Sequence, residues 1–194
     1  MICCIAEREQ LMNRTNGKIA EQSKQKIAQA LLSVMGQYSY REITITQLAQ
    51  EAGLSRKTFY RLFDSKEDVL SLVFENLYRE CLARFRVLNI QRYWDAVQCY
   101  FDFWEERKAL LMLFGKSDLL PVLFDGAYKY SFSIFELVRS TKIASSYSEQ
   151  LPYLLAYSVG GMHSMLLRWV ENDMSVPSEV LIGMLKKGFS SPDI

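Results

Sequence analysis

Residues 44–67 read TITQLAQEAGLSRKTFYRLFDSKE, and this stretch decides the fold of the N-terminal part of the chain. Thr44 and Gln47 stand three residues apart, which is the spacing of a capping box that satisfies free amide groups at the start of a helix. We therefore expect a short helix over residues 46–51.

The second half of this stretch predicts a turn and a second helix. Gly53 allows the positive φ of a tight turn, and Ser55 can cap a helix that continues through Leu62. Ala49 is small at the place where two crossed helices approach each other. The pattern indicates a helix-turn-helix.

The outward-facing side chains of this predicted motif are rich in hydrogen-bond donors. A helix-turn-helix by itself is also a common corner between two helices, so only the residue types can distinguish a DNA-binding motif from such a corner. This composition suits a helix that enters the major groove of DNA. The outward residues are Thr46, Gln47, Arg56, Lys57, Thr58, Tyr60 and Arg61.

Helical periodicity continues along the whole chain, and no strand pattern competes with it. We predict an all-α fold of about nine helices, with a three-helix DNA-binding domain over residues 18–66 and a helical ligand-binding and dimerisation bundle over residues 67–194. Residues 1–17 are expected to be a poorly anchored extension. The predicted helices outside the motif cover residues 18–35, a long segment capped by Asp64 or Ser65, and residues 93–106, 108–114, 119–141, 149–171 and 177–188.

Charge is distributed unevenly along the 194 residues. The whole chain has 23 Lys and Arg against 22 Asp and Glu, whereas residues 1–66 have 10 against 6, a net charge of +4. A nucleic-acid site must therefore be local and N-terminal.

Four cysteines without CxxC spacing and one histidine predict no metal site, no cofactor and reduced thiols. Because the sequence shows neither a signal-peptide pattern nor a membrane-spanning run, we expect a cytoplasmic protein with no membrane partner.

Residues 18–70 resemble the tetracycline repressor (TetR) family of transcriptional regulators. The resemblance rests on the run from Thr44 to Glu67 and on the Y-x-x-F-x-x-K spacing of Tyr60, Phe63 and Lys66. It is weak in the C-terminal two thirds of the chain.

The resemblance implies a homodimer that places the two recognition helices, here residues 55–62, in successive major grooves of a palindromic operator in double-stranded DNA. Lys57 stands where many members of the family have Gly, so a long cation replaces a close approach of the backbone. Matched residue by residue, Thr44, Tyr60 and Lys66 would contact phosphates, Thr46, Arg56 and Lys57 would read bases, and Ser55 and Thr58 could do either.

The C-terminal region has a dense set of aromatic residues between Tyr93 and Phe135. In the family this region forms an effector cavity, and an aromatic lining with few charges suits an apolar or aromatic small molecule. The predicted ligand contacts are Tyr100, Trp104, Phe124 and Tyr128. The predicted dimer contacts are Leu154, Tyr157, Gly161, Met165, Leu181, Met184 and Leu185; close packing within one subunit is the alternative.

The sequence shows no catalytic constellation, so we predict that the chain is not an enzyme. His163 is expected in the core or an interface, and Cys81 and Cys99 as buried apolar groups. The predicted function is a repressor that a small effector releases from its operator. The alternatives are a transcriptional activator and a protein-interaction module with a vestigial helix-turn-helix.

Overall fold

The computed structural model describes residues 2–138 and 149–190, and these residues contain nine α-helices and no strand. The predicted all-α fold is confirmed. The helices are α1 (Ile2–Met35), α2 (Ile45–Glu51), α3 (Arg56–Leu62), α4 (Lys66–Val87), α5 (Tyr93–Glu105), α6 (Lys108–Lys116), α7 (Leu120–Val138), α8 (Leu151–Glu171) and α9 (Ser178–Ser190), and one 3-10 turn covers Tyr40–Glu42.

Helix α1 is much longer than the sequence predicted. It begins at Ile2, so the expected start at Lys18 is wrong and the proposed extension is helical. Residues 2–17 include no proline, and Gly17, with open space where a Cβ would lie, costs a helix only about 1 kcal/mol relative to alanine. The helix ends at Met35, directly before Gly36, where the pattern predicted its end.

The first compact unit comprises residues 1–74 and contains α1, α2, α3 and the start of α4. Helices α1, α2 and α3 pack against one another. The side chains of Ile27, Leu48 and Phe59 are fully buried in this core. The division between the units falls after Phe74, inside α4, whereas the sequence-based boundary lies after Lys66.

The second compact unit comprises residues 75–194, and in it α5 packs against α9 while α8 packs against α6 and α7. Ser178 joins α5 to α9: its hydroxyl oxygen lies 2.6 Å from Asp102 Oδ1 and 2.7 Å from Glu105 Oε2. Its backbone N–H also donates to Glu105, at 3.1 Å. Negatively charged carboxylates interact favourably with the positive N-terminal end of the α9 dipole. The contact therefore stabilises the start of α9 at this residue.

The remaining helix ends lie close to their predicted positions. Helix α8 begins at Leu151 with a proline in its first turn, two residues after the predicted start. Helix α7 is described as far as Val138, and the rest of its predicted span, residues 139–141, lies outside the described residues.

Candidate functional site

The predicted capping box is present at the start of α2. The Thr44 hydroxyl accepts a hydrogen bond from the Gln47 backbone N–H at 3.3 Å, and Gln47 Oε1 accepts from the Thr44 backbone N–H at 2.8 Å. The Thr44 hydroxyl also donates to Gln47 Oε1, at 2.8 Å. Because this hydroxyl has only one proton, Thr44 has no side-chain donor left for the predicted phosphate contact. Gln47 keeps both N–H donors of its Nε2.

The turn between α2 and α3 also forms as the sequence predicted. Gly53 has a φ of 65°, in the left-handed region, and the Leu54 backbone N–H donates to the Ala49 carbonyl at 2.8 Å. The Ser55 hydroxyl caps α3 by accepting from the Thr58 backbone N–H at 3.0 Å. It also lies 3.0 Å from Thr58 Oγ1, so one of these two hydroxyls donates to the other and only one proton remains for a DNA contact.

Lys66 makes contacts that differ from those predicted for it. Its ammonium donates to the backbone carbonyls of Tyr40, Arg41 and Ile43 at 2.8, 3.2 and 3.2 Å, and lies 4.7 Å from the centre of the Tyr40 ring. A lysine has three donors, and these carbonyls take all of them. In the structure the side chain satisfies carbonyls of the 3-10 turn that precedes α2 and of its C-cap, which argues against the predicted phosphate contact of Lys66.

The groups of the motif that stay exposed are on α2 and α3. Arg56 and Lys57 are exposed in the first turn of α3, and Tyr60 is 49% exposed one turn later. The Arg56 guanidinium lies 6.0 Å from the centre of the Tyr60 ring. Thr46 is exposed on α2. Among the predicted DNA contacts, these four side chains and the Gln47 amide keep hydrogen-bond donors that no other group in the described residues uses.

The second unit contains a partly open cavity of about 410 Å³. Four helices, α4, α5, α7 and α8, supply nearly all of its walls. No Asp, Glu, Lys or Arg is among the described side chains that line it. The lining residues are Tyr78, Cys81, Phe85, Gln91, Tyr93, Ala96, Val97, Tyr100, Phe124, Ala127, Ser131, Leu154, Leu155, Ser158, Val159, Met162 and His163.

Two of the four predicted ligand contacts line this cavity and two do not. Tyr100 and Phe124 form part of the wall. Trp104 is only 1% exposed, one helical turn after Tyr100 on the core side of α5, and Tyr128 is 46% exposed on the outer surface of α7. The prediction is wrong for these two residues because an aromatic-rich segment does not specify which side of its helix faces a void.

The sequence analysis missed the contribution of α4. Tyr78 is buried, donates its hydroxyl to the Leu123 carbonyl and stacks on Tyr130 at 5.2 Å between ring centres. A Cβ on Gly126 would lie 2.7 Å from the Tyr78 ring, so α7 approaches this ring through a glycine. An isolated glycine within this helix was the signal that could have indicated the approach.

Burial controls the ionisation of the titratable groups in the cavity wall. It raises the pKa of the Cys81 thiol to about 12, so this cysteine is not a reactive thiolate. Burial also lowers the pKa of His163, against a smaller opposing effect of Asp125, and therefore favours the neutral imidazole. His163 was predicted in the core or an interface; the structure places it in the cavity wall, 4.0 Å from Phe124 between ring centres.

The predicted dimer contacts lie on α8 and α9, and several of them are exposed. Leu154, Tyr157 and Met184 are 43%, 68% and 63% exposed, which is unusual for large apolar side chains. A Cβ at Gly161 would have no neighbour from another part of the described chain within 4 Å, so the described residues do not pack closely against this glycine. Met165, Leu181 and Leu185 are half-buried.

Two predicted absences concern the described residues only. They contain no group of three or more His, Cys, Asp or Glu side chains that could hold a metal ion. None of their helices is long and apolar enough to cross a membrane.

Comparisons with known proteins agree with this geometry. Residues 27–73 match the family model described as bacterial regulatory proteins, tetR family. Among curated proteins, the chain is 30% identical over 84 residues to the HTH-type dhaKLM operon transcriptional activator DhaS of Lactococcus lactis subsp. lactis (strain IL1403). That alignment covers 39% of this chain and 45% of the relative, so the chain spans less than half the length of this relative.

A solved structure extends the likeness of the fold to most of the chain. It is a tetR-family transcriptional regulator from Streptomyces coelicolor, with a TM-score of 0.53 and 18% identity. The likeness covers 85% of this chain and 77% of that one. It shows a common fold, including the helical second unit.

Proposed function

We propose that the chain is a DNA-binding transcriptional regulator and not an enzyme. The premise is that residues 27–73 belong to the tetR family of bacterial regulatory proteins. The observation that carries the proposal is the exposed face of α3. Arg56, Lys57 and Tyr60 are exposed there on a rigidly capped helix, and the surrounding hydroxyls and Lys66 already stabilise the motif. Such a regulator acts in the cytoplasm, where bacterial DNA lies.

The proposed DNA contacts follow from the donors that remain available. Arg56 and Lys57 lie at the start of the recognition helix, the part that reaches base edges in this type of motif. Tyr60 contributes its hydroxyl to a phosphate, and Thr46 and the Gln47 amide contribute from the start of α2. Ser55 and Thr58 together add one hydroxyl proton.

Selection of bound duplexes from a random pool tests this proposal. We expect a two-fold symmetric sequence to be enriched, and its affinity to fall steeply as the salt concentration rises. Enrichment of no sequence, together with an affinity that does not depend on salt, would contradict DNA binding and favour the protein-interaction module.

A tyrosine pair supplies the matched control for that experiment. Tyr60→Ala is expected to weaken binding to every duplex about threefold to tenfold, because one hydrogen bond to the DNA backbone is lost. Tyr38 has the same exposed fraction, 49%, and lies outside α2 and α3. Tyr38→Ala should leave the affinity unchanged, and an equal loss in both variants would argue against the assigned role of Tyr60.

We further propose that the chain acts as a homodimer through α8 and α9. Support comes from the exposed side chains Tyr157 and Met184 and from the open space at Gly161, whereas Leu154 also lines the cavity. Tyr157→Asp places a charge on this face and is expected to convert a dimer into a monomer in sedimentation equilibrium. Tyr128→Asp changes an exposed tyrosine of α7 and should keep the dimer. A wild-type monomer at operator-binding concentrations would contradict the proposal.

The finer function that we propose is repression that ends when a small apolar or aromatic effector fills the cavity. The cavity supports it because its volume lies within the range of roughly 300–1,000 Å³ that is typical of small-molecule sites. The effector must bind the two states of the protein with different affinities, a difference of typically about 1 to 3 kcal/mol. Activation is the second candidate, because the relative from Lactococcus lactis is named an activator.

A reporter gene behind the selected sequence distinguishes repression from activation. Deletion of the regulator should raise expression if the chain is a repressor and lower it if the chain is an activator.

A further inference from the structure

The cavity wall contains several polar groups, and two of them already use their hydrogens within the protein. The Tyr78 hydroxyl donates to the Leu123 carbonyl, and the Ser131 hydroxyl donates to the Tyr128 carbonyl at 2.6 Å. Neither hydroxyl has a proton left for a ligand. A ligand must therefore find its hydrogen-bond donor among the other polar side chains of the wall, which are Gln91, Tyr93, Tyr100, Ser158 and His163.

His163 is one of these remaining groups, and a neighbouring ring of the wall holds its imidazole in place. It lines the cavity from α8, half-buried, and its ring lies against Phe124 at 4.0 Å between centres and an angle of 32°. Neither of its ring nitrogens makes a hydrogen bond to another residue in the described part of the chain. The contact with Phe124 holds one face of the imidazole, while the ring edge, which has both nitrogens, stays available.

The protonation state of His163 determines what it can recognise. Burial lowers its pKa, so the neutral ring is favoured, with one nitrogen that donates and one that accepts. Asp125 on α7 is the nearby carboxylate that opposes this effect. A neutral imidazole can pair with a hydroxyl, which both donates and accepts, and with a carbonyl, which accepts.

The remaining wall disfavours charged ligands. Apart from the groups named above, it consists of aromatic and aliphatic side chains, small residues, Gln91 and Ser158, with no charged side chain among the described residues. A carboxylate or an ammonium that enters such a space loses its hydration without gaining an ion pair, so its binding is disfavoured.

We propose that the cavity selects a neutral, largely aromatic molecule with one hydroxyl or carbonyl group, and that His163 is the specificity-determining residue that binds this group. The inference rests on the proposed effector function of the cavity. It does not depend on which DNA sequence the first unit binds.

Displacement of a fluorescent probe from the full-length protein tests the inference without DNA. The probe is N-phenyl-1-naphthylamine, which is neutral and emits strongly in apolar surroundings. Three competitors of the same ring system are titrated against it: naphthalene, 2-naphthol and 2-naphthoate. The protein is used as wild type, as His163→Phe, which keeps a ring against Phe124, and as Ser158→Ala, which removes the other wall hydroxyl on α8.

The measured quantity is the preference for 2-naphthol over naphthalene, taken as a ratio of dissociation constants. We expect this ratio to fall about threefold to tenfold in His163→Phe, the value of one hydrogen bond, and to stay unchanged in Ser158→Ala. A comparison between variants removes the different hydration of the two competitors. An unchanged ratio in His163→Phe would overturn the role of His163.

Wild-type protein alone tests the ligand class, even if the His163 variant does not fold. We expect 2-naphthoate to bind at least about tenfold more weakly than 2-naphthol, because its carboxylate stays charged. Tighter binding of the acid, or no displacement by any competitor, would overturn the inference. Failure of the regulator function is recognised separately, since it appears as the absence of an enriched duplex.

Discussion

The two units of this chain build their functional groups in opposite ways. In the helix-turn-helix, the caps and the turn form between residues three to five apart, such as Thr44 with Gln47 and Ala49 with Leu54. In the second unit, the cavity brings together Tyr78, Tyr100, Phe124 and His163 from four different helices. Local chemistry is readable along a sequence, whereas a cavity depends on how whole helices pack.

Lys66 is the exception within the first unit, and it gives the largest expected effect. Lys66→Met should lower the free energy of unfolding by about 2 to 3 kcal/mol, because three backbone carbonyls lose a charged donor. Urea denaturation measures this change. We expect the salt dependence of DNA binding by the folded variant to stay as in the wild type, because the backbone carbonyls take up the donors of the ammonium.

Lys57→Met is the matched control for that substitution. Lys57 is exposed on α3, so its loss should change the free energy of unfolding by less than about 0.5 kcal/mol. It should weaken operator binding and change the selected sequence. A Lys66 variant of unchanged stability with a reduced salt dependence would restore the phosphate role that the sequence suggested.

In the second unit, a pair of glycines tests the approach of α7 to α4. Gly126→Ala places a Cβ 2.7 Å from the Tyr78 ring, which the Leu123 carbonyl and Tyr130 hold in place. We expect a loss of about 1 to 2 kcal/mol, measured by thermal or urea denaturation. Gly183→Ala, in α9 with open space around it, should instead stabilise the protein by up to about 1 kcal/mol. Equal changes in stability for the two substitutions would show that Tyr78 is not closely packed.

His163 gives the smallest expected effect, a change of stability with pH. Because its pKa is lowered in the folded protein, the unfolded chain binds more protons as the pH falls through the ordinary histidine value of about 6.5. Stability is therefore fully present above that value and is partly lost below it. Since this is the only histidine in the chain, the difference between wild type and His163→Phe in melting temperature at pH 7.5 and 5.5 isolates the effect. A contribution of His163 that raises the melting temperature at the lower pH would contradict the assignment.

Several errors of the sequence analysis have one physical origin. Trp104 and Tyr128 were predicted in the cavity together with Tyr100 and Phe124, yet one is in the core and the other on the surface. All four belong to aromatic-rich helices, and periodicity does not tell a face that packs against a helix from a face that borders a void. The start of α1 was also missed, since residues 2–17 combine a short apolar patch with charged residues and did not stand out as a continuation of the helix.

By itself, the sequence determined the all-helical fold, the capping box of α2, the turn at Gly53 and the cap of α3. These features depend on hydrogen bonds and backbone angles within a few residues, so residue types in order are sufficient. Only the tertiary structure decided that Lys66 binds carbonyls and that His163 faces a cavity, because each depends on elements that are distant in the sequence. A donor has a fixed chemistry, but its partner is whatever the packing of the chain brings within about 3 Å.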